Sequence, residues 1–138
     1  MILMKGERLV KDWLPLILWG AFIFYLSSIP NLRTTANPYW DEIIRSSLHG
    51  VFYFVFCLLW LRALKANYPG KRHLLSLIFV FLYSLTDEIH QLFVPSRSFQ
   101  LKDLAVDNLG SLLAVFFSQF LAKSPGGIRN LAERLDLV

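Results

Sequence analysis

No residue between Trp13 and Ile29 carries a charge, and three further stretches of the chain are nearly as apolar. A bilayer-spanning helix needs about 20 mostly apolar residues. The spacing predicts four such helices, over residues 13–29, 38–64, 73–94 and 101–122. Short polar or basic connections separate them, and a tail follows over residues 123–138. The chain is 138 residues long and 55% hydrophobic, with 17% charged residues. A soluble domain of this length has too much surface for its volume to hide that much apolar side chain. Lipid-facing helices need not hide it. The fold expected is all-α, one membrane domain built as a four-helix bundle.

Local signals agree with these bounds. Asn37-Pro38 pairs a capping side chain with a proline at the first helical position. Pro69-Gly70 marks a turn, Pro95 ends the third helix, and Ser124-Pro125-Gly126-Gly127 ends the fourth. The first apolar run is long for a signal peptide, and Ser27-Ser28-Ile29-Pro30 is a poor cleavage site, so it is read as a retained helix. Ile128, Leu131 and Leu135 recur at helical spacing in the tail, as in a helix lying on a membrane surface. Trp13, Trp19 and Trp60 read as packing residues or interface anchors. Cys57 has no partner for a disulfide and reads as a small apolar filler.

The net charge of +4 is not a nucleic-acid signature, because the basic residues are split into short clusters between apolar runs. Their distribution orients the chain instead. With the N-terminus in the cytoplasm, the inner side holds Lys5, Arg8, Lys11, Arg62, Lys65, Lys71, Arg72, Lys123, Arg129 and Arg134. The outer side holds only Arg33, Arg45, Arg97 and Lys102. The positive-inside rule therefore predicts both termini in the cytoplasm of a multi-pass membrane protein.

The unusual polar residues then gather at the outer end. Glu42, Arg45, His49 and Tyr53 follow at steps of three and four on one face of the second helix. Asp87, His90 and Gln91 share a face of the third, with Glu88 about 100° away. Asp103, Asp107 and Ser111 share a face of the fourth, with Asn108 beside them. Asp41, Lys102 and Arg33 sit where charges reach the interface. Asp87 and Asp107 lie deeper, where an acid costs about 2.5–3.5 kcal/mol and normally faces the bundle interior. Asp87, Glu88, Asp107 and His49 are the candidate catalytic groups. Arg97, Gln91, Arg45, Tyr53, Asp103 and Asn108 are the candidate ligand-binding groups. Asp, Glu and His could supply metal ligands, but the chain has no HExxH or paired-cysteine motif, Gly-rich phosphate loop or serine-nucleophile motif, so no metal is assigned and no cofactor is named.

The run Asp87-Glu88-Ile89-His90-Gln91-Leu92-Phe93-Val94-Pro95-Ser96-Arg97 resembles the DExxQ-x-F-x-P-x-R signature of VanZ-like membrane proteins. Asp103, Asp107, Asn108 and Gly110 follow as in that family's D-x-x-x-[DN]-x-x-G pattern. His49 and Tyr53 are similar to its H-x-x-x-Y element, and Ser27, Ser28 and Pro30 to the close of its first helix. Two positions depart: Ser46 stands where the family often has lysine, and Gly50 where it often has an aromatic residue. The family's namesake is associated with resistance to teicoplanin, a lipoglycopeptide that acts on cell-wall precursors outside the membrane. The resemblance implies a role at the cell envelope, on a lipid-linked or cell-wall component, without naming a reaction. Catalysis and non-catalytic binding of a lipid or antibiotic both stay open. So does a small ion- or proton-coupled carrier, which would need a homo-oligomer.

Overall fold

A segment surrounded by apolar neighbours must satisfy its own backbone hydrogen bonds, and a helix does so within one segment. The computed structural model describes residues 2–30 and 32–137 and is helical throughout: α1 (Ile2–Ser27), α2 (Pro38–Lys65), α3 (Arg72–Gln91), α4 (Leu101–Lys123) and α5 (Gly126–Arg134). No strand occurs among the described residues. Asn37 caps α2 as its sequence suggests, its side chain accepting from the amides of Tyr39 (3.0 Å) and Trp40 (3.4 Å).

Two boundaries differ from expectation. α1 begins at Ile2, well ahead of the charge-free run, so Pro15 lies inside it rather than near its start. α3 ends at Gln91, short of Pro95. Leu92, Phe93 and Val94 each donate three residues back, to Ile89, His90 and Gln91. Pro95 cannot continue the helix, and the chain tightens into the turn before it.

The expectation of four membrane-crossing helices is corrected to three. Among the described residues, only Val10–Ser27, Pro38–Lys65 and Leu101–Lys123 are long and apolar enough by length and composition to span a bilayer. α3 falls short because Arg72 opens it and Asp87, Glu88, His90 and Gln91 fill its last turns.

Neighbouring helices run antiparallel. At one end Arg62 Nε lies 3.2 Å from Asp12 Oδ1, and Trp13 meets Trp60 edge-on at 5.9 Å. At the other, Arg97 reaches the end of α1 and Lys102 pairs with Glu42 at 2.6 Å. α2 and α4 form the central pair. Tyr53, Cys57, Leu61, Val80 and Ala114 are sealed between the helices. Ile17, Phe81, Leu113, Phe116 and Phe120 point outward and stay exposed. Apolar faces of this extent need an apolar surrounding. α5 turns Ala132 to the bundle and leaves Ile128, Leu131 and Leu135 exposed, as their spacing predicts. Ser118 Oγ on α4 donates to the carbonyl of Leu137 at 3.0 Å and ties down the chain after α5.

Candidate functional site

Burial sorts the polar residues at the α2–α3–α4 end. Asp87, Glu88, Asp103 and Asp107 are 2%, 0%, 8% and 0% exposed, an acidic centre closed off from solvent. The inward faces read from the sequence bring them there: Asp87 and Glu88 from the end of α3, Asp103 and Asp107 one turn apart on α4.

From α2, His49 places Nδ1 3.2 Å from Asp107 Oδ1. One turn deeper, the Tyr53 hydroxyl donates to Asp87 Oδ2 across a long 3.5 Å. Glu88 is held from two sides. Gln91 Nε2 donates to its Oε1 at 3.3 Å, and the Gln100 amide donates to its Oε2 at 2.9 Å. Asp103 Oδ1 accepts from Ser46 Oγ at 3.4 Å. His49, Glu88 and Asp107 each offer a ligand atom within 4.8 Å of the others. His49, Asp87, Glu88, Gln91, Tyr53, Asp103 and Asp107 thus meet at one place.

The cations lie elsewhere. Among the described residues no lysine or arginine is ion-paired with Asp87, Glu88, Asp103 or Asp107; only His49 is, through Asp107. Arg45 pairs with Asp41 at 3.6 Å, and Lys102 with Glu42. Arg97 engages backbone through two of its three guanidinium nitrogens. Its Nε donates to the Ile29 carbonyl at 3.3 Å and its Nη2 to the Leu26 and Ile29 carbonyls at 3.2 Å. These carbonyls lie at and just beyond the C-terminus of α1, and Leu26 O also accepts from the Ile29 amide at 3.3 Å, so Arg97 braces the chain as it leaves α1. A buried carboxylate without a compensating cation is costly, so the centre must hold protons or a cation.

An apolar slot of about 170 Å³ runs beside this centre. Ile23 and Leu26 of α1, Leu32 of the connection, and Leu48 and Phe52 of α2 form its walls, and Ser27, His49, Tyr53 and Asp87 its polar lining. Arg45 and Arg97 line it too, and with Leu32 they also line an adjoining polar cavity. The slot therefore joins apolar walls, two guanidinium groups, and Asp87 of the acidic centre with the neighbouring His49 and Tyr53.

Asn108 is not brought into this site. Its Nδ2 donates to the Leu104 carbonyl (2.6 Å) and to Ser84 Oγ (3.5 Å), joining α4 to α3. His90, on the predicted face with Asp87, turns to α1 instead: it stacks on Phe24 at 4.3 Å and contacts Ser28 Oγ at 3.1 Å. Three features escaped the sequence reading. The slot walls look like ordinary core residues. Asp41 organises the α1–α2 connection, accepting from Thr34 Oγ1 at 2.9 Å and from the Thr35 amide at 3.3 Å. Asp12 and Arg62 pair across the opposite end, where an acid directly at the start of the apolar run was the available signal.

Comparison with curated proteins and with solved structures returns no match. The family model described as VanZ/LLP1 matches residues 12–122, a range that contains α2, α3 and nearly all of α1's apolar run and α4. Its apolar helices and this match mark the molecule as a membrane protein, and the chain belongs to the VanZ/LLP1 family.

Proposed function

We propose that this protein binds a lipid-linked anionic component of the bacterial cell envelope. In this reading the acyl or prenyl portion lies in the apolar slot and the phosphate lies against Arg45 and Arg97. One observation carries it: a slot walled by leucine, isoleucine and phenylalanine is also lined by two arginines, which line a second, polar cavity as well. Guanidinium groups suit phosphate by charge and by fork geometry.

Orientation is part of the proposal. The ten-to-four bias of Lys and Arg favours cytoplasmic termini and an outward-facing site. α3, not apolar enough to count as a span, runs back alongside α2 and α4 with its polar last turns turned inward, which leaves both termini on one side. The single domain, the surface position of α5 and a role in lipoglycopeptide resistance belong to the same reading.

The test is titration of the purified chain in nanodiscs with a polyprenyl phosphate and with the matching polyprenol, followed by native mass spectrometry. Saturable binding of the phosphate, at least tenfold tighter than the alcohol and abolished by Leu48→Trp, supports the reading. Equal binding of both, or indifference to a slot filled by tryptophan, overturns it.

A further inference from the structure

We propose that His49, Glu88 and Asp107 form a binding site for one divalent transition-metal ion of the Mn²⁺ or Zn²⁺ type. This site lies beside the slot and shares His49 with it, but does not rest on what fills the slot. Donors around one ion, at about 2.0–2.4 Å from it, are about 3 Å apart when adjacent and about 4–5 Å apart when opposed. The ligand atoms of the three residues fall within 4.8 Å of one another. His49 Nδ1 and Asp107 Oδ1, 3.2 Å apart, already have the spacing of adjacent ligands.

A second observation concerns Asp107 alone. Its Oδ2 is buried with no hydrogen-bond partner among the described residues, on a side chain that is 1% exposed. A protonated Oδ2 would need an acceptor, and an ionised one a donor or a cation; an ion bound by Asp107 meets the second need. Asp87 Oδ1, from the next residue to Glu88, is orphaned in the same way. No lysine or arginine among the described residues pairs with these acids, so charge balance also calls for a cation.

The donor set narrows the ion. One imidazole with two carboxylates lies between the all-oxygen sites of Mg²⁺ and Ca²⁺ and the thiolate sites of softer metals. Glu88 is oriented by Gln91 and by the Gln100 amide, the kind of outer support that metal ligands use. Three protein ligands leave coordination positions open. Helical spacing brings these residues to one end of the bundle, but no local metal motif marks them, because the three ligands come from three helices.

The test uses the chelator-treated wild-type chain in detergent, titrated with MnCl₂ by electron paramagnetic resonance and with ZnCl₂ by calorimetry. One ion per chain should bind saturably. The Mn²⁺ signal should carry nitrogen hyperfine coupling from an imidazole, lost in His49→Gln and kept in His90→Gln. Asp107→Asn and Glu88→Gln should each weaken binding at least tenfold, and Leu48→Trp should leave it unchanged. Failure of the slot reading therefore does not touch this one. Absence of saturable binding of either ion to wild type, or undiminished binding by His49→Gln and Asp107→Asn, overturns the site whether or not any single variant folds.

Discussion

Gly110 of α4 rests on the backbone of α2 at Gly50, so closely that a Cβ on Gly110 would run into the Gly50 carbonyl. The obstacle is backbone, which cannot swing aside as a side chain can. Small residues at a crossing allow this kind of approach between apolar helices, and the approach brings His49 up to Asp107. Gly110→Ala is expected to destabilise the protein by at least about 1–3 kcal/mol, the usual cost of overpacking. Gly50→Ala should cost less, since its Cβ would meet the Val106 Cγ1 methyl at 3.3 Å. Thermal unfolding of both variants in detergent checks the order; a Gly50→Ala variant less stable than Gly110→Ala would refute it.

Arg97 is expected to matter for folding before it matters for any ligand. Its guanidinium bridges two carbonyls at the end of α1, and lysine cannot reproduce that fork. Arg97→Lys should lose roughly 1.5–3 kcal/mol, the range for hydrogen bonds to a charged group. Loosening should begin at the α1–α2 connection. Hydrogen exchange at the Ser28 and Ile29 amides reports it: unchanged protection there in Arg97→Lys would assign the arginine to ligand binding alone.

Ser96, just before that arginine, has φ 66°, a left-handed conformation that L side chains other than glycine adopt at a cost. The turn between α3 and α4 has to reverse the chain within a few residues after Pro95. Ser96→Gly should be neutral or stabilise by up to about 1 kcal/mol, while Ser96→Val should destabilise by roughly 1–2 kcal/mol. Denaturation midpoints of the pair, measured side by side, decide the point; equal midpoints would remove the strain argument.

The sequence exposes the helices because lipid-scale apolar runs and their breakers are local signals. Asn37-Pro38, Pro95 and Ser124-Pro125-Gly126-Gly127 act where they stand. The reach of α1 back to Ile2 was hidden, since a polar stretch before an apolar run is as compatible with coil as with helix. α3 was overcounted as a span because periodicity shows which face is polar, not whether enough of the helix is apolar. Convergence of Asp87, Glu88, His49 and Asp107 was legible from three- and four-residue steps. The role of Arg97 was not, because its partners are backbone carbonyls that every residue carries. Asn108 was misread for a related reason: its neighbour Asp107 points to α2, so position 108 must point about 100° away, toward α3.

Far from the acidic centre, Asp136 fastens the chain after α5 to α1 and α2. Lys11 Nζ donates to its Oδ2 at 3.1 Å, and Lys65 Nζ lies 3.8 Å from its Oδ1. Partial burial works against the carboxylate, but the Lys11 hydrogen bond and the charges of Lys11, Lys65 and Arg62 outweigh it. The carboxyl is thereby held below its ordinary value of 3.8. A carboxylate with a depressed folded value contributes stability above its unfolded value and loses it as pH falls through the folded one. The clasp should therefore hold at neutral pH, begin to weaken below the ordinary value of 3.8 and open as pH falls through the lower folded value, releasing α5 while the bundle stays folded. Asp136→Asn should show the released state already at pH 7, and further acid should then have little local effect. Hydrogen exchange across residues 126–137 at pH 7 and pH 3, in wild type and variant, is the measurement. Equal protection of α5 in both proteins at pH 7 would mean that Ala132 packing and the Ser118–Leu137 bond hold the helix without the ion pairs.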